Sequence, residues 1–115
     1  MNIDTQVISD VVCFDISGRF TRIDAREPTL HHLVKDQLES GKRKILVNFE
    51  NTDFIDSFGF GEIVASYRSI QSLGGDFKLA GIHKDLHVVF VITGLDKILD
   101  IHNNSESALN SFKET

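Results

Sequence analysis

The hexapeptide KILVNF, residues 44–49, decides how the rest of the chain is read. A strand with one wet face alternates apolar and polar residues, whereas Ile45, Leu46, Val47 and Phe49 form a nearly continuous apolar run. Such a run marks a strand covered on both faces, at the centre of a sheet with helices above and below. Upstream, Leu30, Leu33, Val34 and Leu38 follow helical spacing, with Pro28 placed as a first helical residue and Gly41 as the stop. Before that helix, VVCFDIS at residues 11–17 alternates with period two, and residues 2–8 are expected to pair with it as a hairpin turning at Ser9 and Asp10.

Downstream, Phe60, Ile63, Val64, Tyr67 and Ile70 make a second helical stripe that ends at LGG, residues 73–75. DFKLAGI then reads as a strand, KDLHVVFVIT as a short helix closed by Gly94, KILDIH as a last strand and SESALNSFKE as a terminal helix with Ser105 as its cap. The order β-β-α-β-α-β-α-β-α predicts an α/β fold: a mixed, mostly parallel sheet with an antiparallel edge supplied by the first hairpin.

Composition agrees with one domain over residues 1–115. The hydrophobic fraction is 41%, the charged fraction 25%, and there is one proline, with no repeat or low-complexity linker. Cys13 is the only cysteine, so no disulfide framework is expected and a reducing cytoplasm fits. No apolar stretch reaches the length of a membrane span. A net charge of -5 argues against nucleic acid as a partner, because a phosphate backbone must be met by clustered Lys and Arg.

The chemical candidates centre on FIDSFGFGEIV, residues 54–64, where a serine stands at the mouth of a helix. A nucleophile elbow needs glycine two places before the serine, and Ile55 stands there. A hydrolase would also need one of the five histidines (His31, His32, His83, His87, His102) brought to Ser57, and none lies in a recognisable histidine loop. Gly59 and Gly61 fall inside the helix rather than before it and lack the third glycine of a dinucleotide fingerprint, Val64 taking its place. His83 and His87 are four apart without the glutamate of a zinc helix, and Cys13 sits mid-strand as a structural thiol; no metal or cofactor is expected. Either Asp56 or Ser57 can cap the helix. Capping is compatible with phosphorylation, because a phosphoryl group at a helix N-terminus meets free N–H donors and the positive end of the dipole. At 100° per residue, with the stripe Phe60–Ile70 facing the sheet, Phe58, Glu62, Ala65, Ser69 and Ser72 are expected to face outward, with Phe58 exposed as an anchor for another protein.

The segment ILVNFENTDFIDSFGFGEIVASYRSIQSLGGDFKLAGI, followed by VITGLDKILDIHNNSESAL, resembles the STAS domains, specifically the small bacterial anti-sigma factor antagonists. The likeness runs from about Val11 to Leu109, and is carried by Asp56-Ser57 with Gly59 and Gly61, the Gly74-Gly75 turn, and Thr93-Gly94-Leu95. The resemblance implies a four-helix, mixed-sheet domain without catalytic activity. It also implies a partner, an anti-sigma factor that is an ATP-dependent serine kinase and phosphorylates Ser57, and a phosphatase that resets the switch. On this reading the partner-binding residues are Asp56, Phe58, Gly59, Glu62, Ala65, Ser69 and Thr21, in a cytoplasmic protein that is a monomer or weak dimer. The alternative within the family is a STAS scaffold subunit of a stress-signalling complex, never phosphorylated. The chain departs from the family pattern at Phe58, where a small residue is usual, and at Thr21, flanked by Arg19 and Arg22, where an acidic residue is usual.

Overall fold

The computed structural model describes residues 1–112. Its elements are β1 (Asn2–Ile8), β2 (Val11–Phe20), α1 (Leu30–Glu39), β3 (Lys44–Asn48), β4 (Thr52–Ile55), α2 (Ser57–Ser72), β5 (Asp76–Ala80), α3 (Lys84–Ile92), a 3-10 turn (Leu95–Lys97), β6 (Asp100–His102) and α4 (Ser105–Phe112). Five strands lie in the order β1-β2-β3-β5-β6, and β4 pairs with the far end of β2. Only β1 runs antiparallel to its neighbour; all other pairings are parallel. The expected mixed sheet with an antiparallel edge is therefore present, with β3 at its centre.

The continuous run of β3 has the predicted cause. Ile45 and Val47 point into the larger core, with Val12, Phe14 and Ile16 of β2 and the buried faces of α1, α2 and α3. Leu46 points the other way, with Val11, Cys13 and Ala80, under Ala108 and Phe112 of α4. Cys13 is buried, and its burial, together with the nearby Asp15 carboxylate, pushes the thiol up to about 11, so it is an inert core residue. A cation also sits among these strands. Lys78 is 5% exposed, pairs with Asp100 at 2.6 Å and lies over the Phe112 ring at 5.0 Å.

Four local expectations are corrected. The strand β4 is additional to the predicted order; its four residues are too few to show a period, and it is fixed by Thr52, whose Oγ1 donates to Ile16 O at 2.7 Å. Pro28 is not the first helical residue of α1, because Thr29 is the N-cap and accepts from His32 N. The cap of α4 is Asn104, whose Oδ1 accepts from Ser107 N at 2.8 Å, rather than Ser105. The last strand is only Asp100–His102, because residues 95–97 close into a 3-10 turn after Gly94 takes a left-handed conformation, φ 77°.

Candidate functional site

The parallel strands β2 and β4 end together, Phe20 beside Ile55, and the chain turns at once from β4 into α2. Asp56 makes that turn. Its Oδ1 accepts from Gly59 N at 3.0 Å, which caps α2, and its Oδ2 accepts from Arg22 N at 3.1 Å, which ties down the loop leaving β2. Its own N–H donates to Phe20 O at 3.3 Å. Partial desolvation pushes the Asp56 carboxyl up, but the N–H groups of Arg22, Gly59, Phe58 and its own residue outweigh this and hold it below the ordinary value of 3.8. A fixed anion therefore sits beside Ser57 at all ordinary pH values.

Asp56, not Ser57, is thus the cap. Ser57 is the first residue of α2 and exposed, and its hydroxyl makes no hydrogen bond among the described residues. None of the hydrogen bonds links it to a histidine. His31 contacts Ser69, His32 contacts Glu27, His83 contacts Glu50 O and His102 contacts Ser111 and Asp100. Among the described residues the Ser57 hydroxyl is therefore not paired with a histidine, the arrangement by which a serine nucleophile is activated.

Gly59 explains how α2 packs so closely at its start. A Cβ there would meet Phe20 O at 2.5 Å and Ile55 Cγ2 at 2.6 Å, so only hydrogen fits between the helix and the strand ends. Gly59 is consequently buried and reaches a partner only through the shape it permits. Gly61 is the opposite case: it is exposed, and a Cβ there would have no neighbour within 4 Å.

The outward face of α2 is not the one the spacing predicts. The buried line is Gly59, Ile63, Ser66 and Ile70, with Phe60 and Tyr67 packed on its shoulder. This is rotated roughly 65° about the helix axis from the expected stripe, because glycine and serine carry no hydrophobic signal yet sit against the sheet. Glu62, Ala65 and Ser69 are therefore half-buried on the side where α1 lies. Glu62 Oε1 accepts from His31 N at 3.0 Å, and Ser69 Oγ lies 2.8 Å from His31 Nε2. Of the expected outward set only Ser72 is exposed. The true outward line carries Ser57, Gly61 and Arg68, with Ser72 beyond them.

Phe58 is likewise corrected. It is half-buried, packed edge-on against Phe20 with ring centroids 6.4 Å apart, so it belongs to the support of the helix start more than to its surface. The exposed aromatic is Phe54 on β4, 43% exposed, with the Arg19 guanidinium 5.0 Å above its ring. Ile23, in the loop that Asp56 ties down, is 90% exposed. The sequence reading missed both, and the only signal for Phe54 was a strand too short to recognise. Thr21 is buried: its Oγ1 donates to Asp24 Oδ2 at 2.7 Å and accepts from Asp24 N, which knots the same loop from within.

Together the fold and site define a small α/β module that displays a serine on the first turn of a helix, with an anion fixed beside it and the exposed Phe54 nearby under Arg19, whose guanidinium also pairs with Asp24 at 3.5 Å. The STAS domain family model matches residues 2–108, and the chain belongs to that family. A relative from Thermotoga neapolitana is 38% identical over 72 residues, 63% of this chain and 64% of its own. An anti-sigma F factor antagonist of Paenibacillus polymyxa is 30% identical over 69 residues, 60% of this chain and 59% of its own, so the chain spans about three-fifths of the length of these curated relatives. Among solved structures, unphosphorylated SpoIIAA, an anti-sigma factor antagonist, superposes with a TM-score of 0.79 at 16% identity, covering 99% of this chain and 100% of that one. The phosphorylated form of the Bacillus protein SpoIIAA superposes with 0.74 at 18%, covering 96% and 99%. No helix among the described residues is long and apolar enough to cross a membrane, and no three of their His, Cys, Asp or Glu side chains are gathered to hold a metal ion.

Proposed function

We propose that the protein is an anti-sigma factor antagonist of the cytoplasm, a single non-catalytic domain whose docking surface is switched by phosphorylation of Ser57. The observation that carries this reading is the division of labour at the start of α2. Asp56 supplies the cap and the loop tie, which leaves the Ser57 hydroxyl exposed and unengaged. A kinase can therefore modify Ser57 without removing any bond that holds the helix. The added phosphate brings about two negative charges to a surface that already holds the Asp56 carboxylate, so a partner seated there is repelled while the fold persists. The partner is an anti-sigma factor with ATP-dependent serine-kinase activity, and a separate phosphatase reverses the step. Relatives that bear the name anti-sigma factor antagonist support the partner class, and the fold shared with a protein solved in phosphorylated and unphosphorylated forms supports the switch.

The surface that meets the partner is the exposed line Ser57, Gly61 and Arg68, with Phe54, Arg19 and Arg22 at its rim. Phe58, Gly59 and Thr21 shape this surface from beneath, and Glu62 and Ser69 fix the helix against α1, with the half-buried Ala65 between them in sequence. Affinity capture from the source lysate with and without ATP tests the proposal. Recovery of a kinase-type anti-sigma factor that leaves the bait when ATP is added, with phosphate on Ser57 by mass spectrometry, is expected. Retention despite ATP with Ser57 unmodified would instead favour a constitutive STAS scaffold. Ser57→Asp should weaken the complex while changing stability by no more than about 1 kcal/mol; unchanged binding would mean that charge at Ser57 is not the switch.

A further inference from the structure

The sheet has one side that the proposed switch does not use. β1 is an edge strand of seven residues, with no neighbour beyond it among the described residues, and six of the seven are exposed. Proteins usually blunt such an edge with lysine, proline, a bulge or a covering loop. β1, NIDTQVI, contains neither lysine nor proline, carries Asp4 as its one charge, and holds an unbroken one-to-one register with β2. Its far end presents Val7 at 50% exposure and Ile8 at 39%.

The register fixes which backbone groups are free. Ile8 and Val11 flank a two-residue turn at Ser9 and Asp10, with Ser9 at φ 56°, so they form the hydrogen-bonded pair that closes the hairpin. Hydrogen-bonded pairs recur every second residue, which directs Asn2, Asp4, Gln6 and Ile8 inward to β2. The N–H and C=O groups of Ile3, Thr5 and Val7 then point away from the sheet, toward solvent.

We propose that this edge is a homodimer interface, in which β1 of one copy pairs antiparallel with β1 of a second copy about a two-fold axis at Thr5. Self-pairing is the arrangement this sequence fits. With Thr5 opposite Thr5, Ile3 meets Val7 of the other copy on one face of the joined sheet, while Asp4 meets Gln6 and Asn2 meets Ile8 on the other. The outward groups of all three free residues are satisfied in both copies, and no carboxylate faces its own image. Sliding the register by two residues toward the N-terminus would set Asp4 opposite Asp4, and sliding it the other way would lose the Ile3 to Val7 contacts. The occupant is thus a second copy of this chain, selected by the self-complementary register, with Asp4 kept from its own image. The gain is mainly backbone hydrogen bonds of modest net worth, so the dimer is weak and concentration-dependent.

The dimer is separable from the switch, because β1 contributes no residue to the Ser57 surface. Sedimentation velocity over a concentration series, combined with residue-resolved amide exchange, tests it. A monomer–dimer equilibrium is expected, with exchange at Ile3, Thr5 and Val7 slowed on raising the concentration and exchange at the inward amides unchanged. Thr5→Pro removes an N–H that β2 does not use, and should weaken dimerisation about tenfold or more while leaving the fold intact. Thr5→Lys places two ammonium groups on the axis and should do the same without altering the backbone. A protein that stays monomeric at millimolar concentration, a dimer that leaves those three amides unprotected, or protection that appears only when a different polypeptide is added would each overturn the proposal. Because these readouts need no anti-sigma factor, they stand or fall apart from the Ser57 reading.

Discussion

Two glycines two positions apart on α2 do opposite work, and substituting each separates packing from docking. At Gly59 a methyl group would overlap a backbone oxygen and an isoleucine that cannot both retreat, because Phe20 and Ile55 are paired strand ends. Gly59→Ala is expected to destabilise the fold by about 1–3 kcal/mol, an overpacking cost read by denaturant melts. At Gly61 the space is open and the residue is inside a helix, so Gly61→Ala should stabilise by about 0.5–1 kcal/mol through the smaller entropy loss of alanine. Yet Gly61 lies one helical turn from Ser57 on the exposed line, where a partner helix or loop would approach the backbone. The same substitution should therefore weaken partner binding measurably while raising the melting point. A stabilised variant with unchanged affinity would remove Gly61 from the docking surface.

The seam between α1 and α2 carries a second separable effect. His31 leaves its backbone N–H on Glu62 and its ring on Ser69, half-buried between the helices. Burial lowers the pKa of His31 from 6.5; Glu62 opposes the shift, and Lys35 and His32 reinforce it. The sign follows from linkage. A histidine whose folded pKa lies below its unfolded value binds its proton more readily when unfolded, so its contribution is complete above pH 6.5 and is lost as the pH falls through the folded value. His31→Gln keeps a hydrogen-bonding group without the titration. Wild type should exceed this variant by about 1 kcal/mol at neutral pH, and paired thermal melts should show the gap narrowing as the pH falls below 6.5. A gap that widens on acidification would mean that protonated His31 is the stabilising form. This seam also marks where sequence reading stops. Helical spacing identified α2, its ends and its serine, but the helix's rotation was set by Gly59 and Ser66, which lie on the sheet for want of bulk rather than for hydrophobicity. Residues read as a docking face are thereby a helix–helix contact, and only the packed structure distinguishes the two.

At the scale of the molecule, the architecture was legible because β3 states its surroundings in its own residues, and because the two periods alternate along the chain. The short strand β4 and the exposed Phe54 were not legible, since four residues cannot establish a period and their pairing with β2 spans more than thirty positions of sequence. The central strands also decide how the protein unfolds. β2, β3 and β5 contribute to both cores at once, as Ile45 and Val47 face the helices α1 to α3 while Leu46 lies under α4. The smaller core cannot therefore open without exposing strands that hold the larger one, and loss of the larger core removes the floor on which α4 rests. One cooperative transition is expected, with calorimetric and van't Hoff enthalpies equal. Far-UV circular dichroism reports all four helices, and the emission of Tyr67, the only tyrosine in a chain without tryptophan, reports the larger core. The two should give the same midpoint. Helix loss that precedes the Tyr67 signal would show that α4 peels away as its own unit. For Ser57→Asp the midpoint should move by no more than about 4–8 °C, the equivalent of 1 kcal/mol in a domain near this size. The proposed complex with an anti-sigma factor should nevertheless be lost at temperatures where the fold is intact. That separation is what the proposed switch requires: Asp56 holds the helix, so a charge added at Ser57 would act on the surface and leave the cooperative core alone.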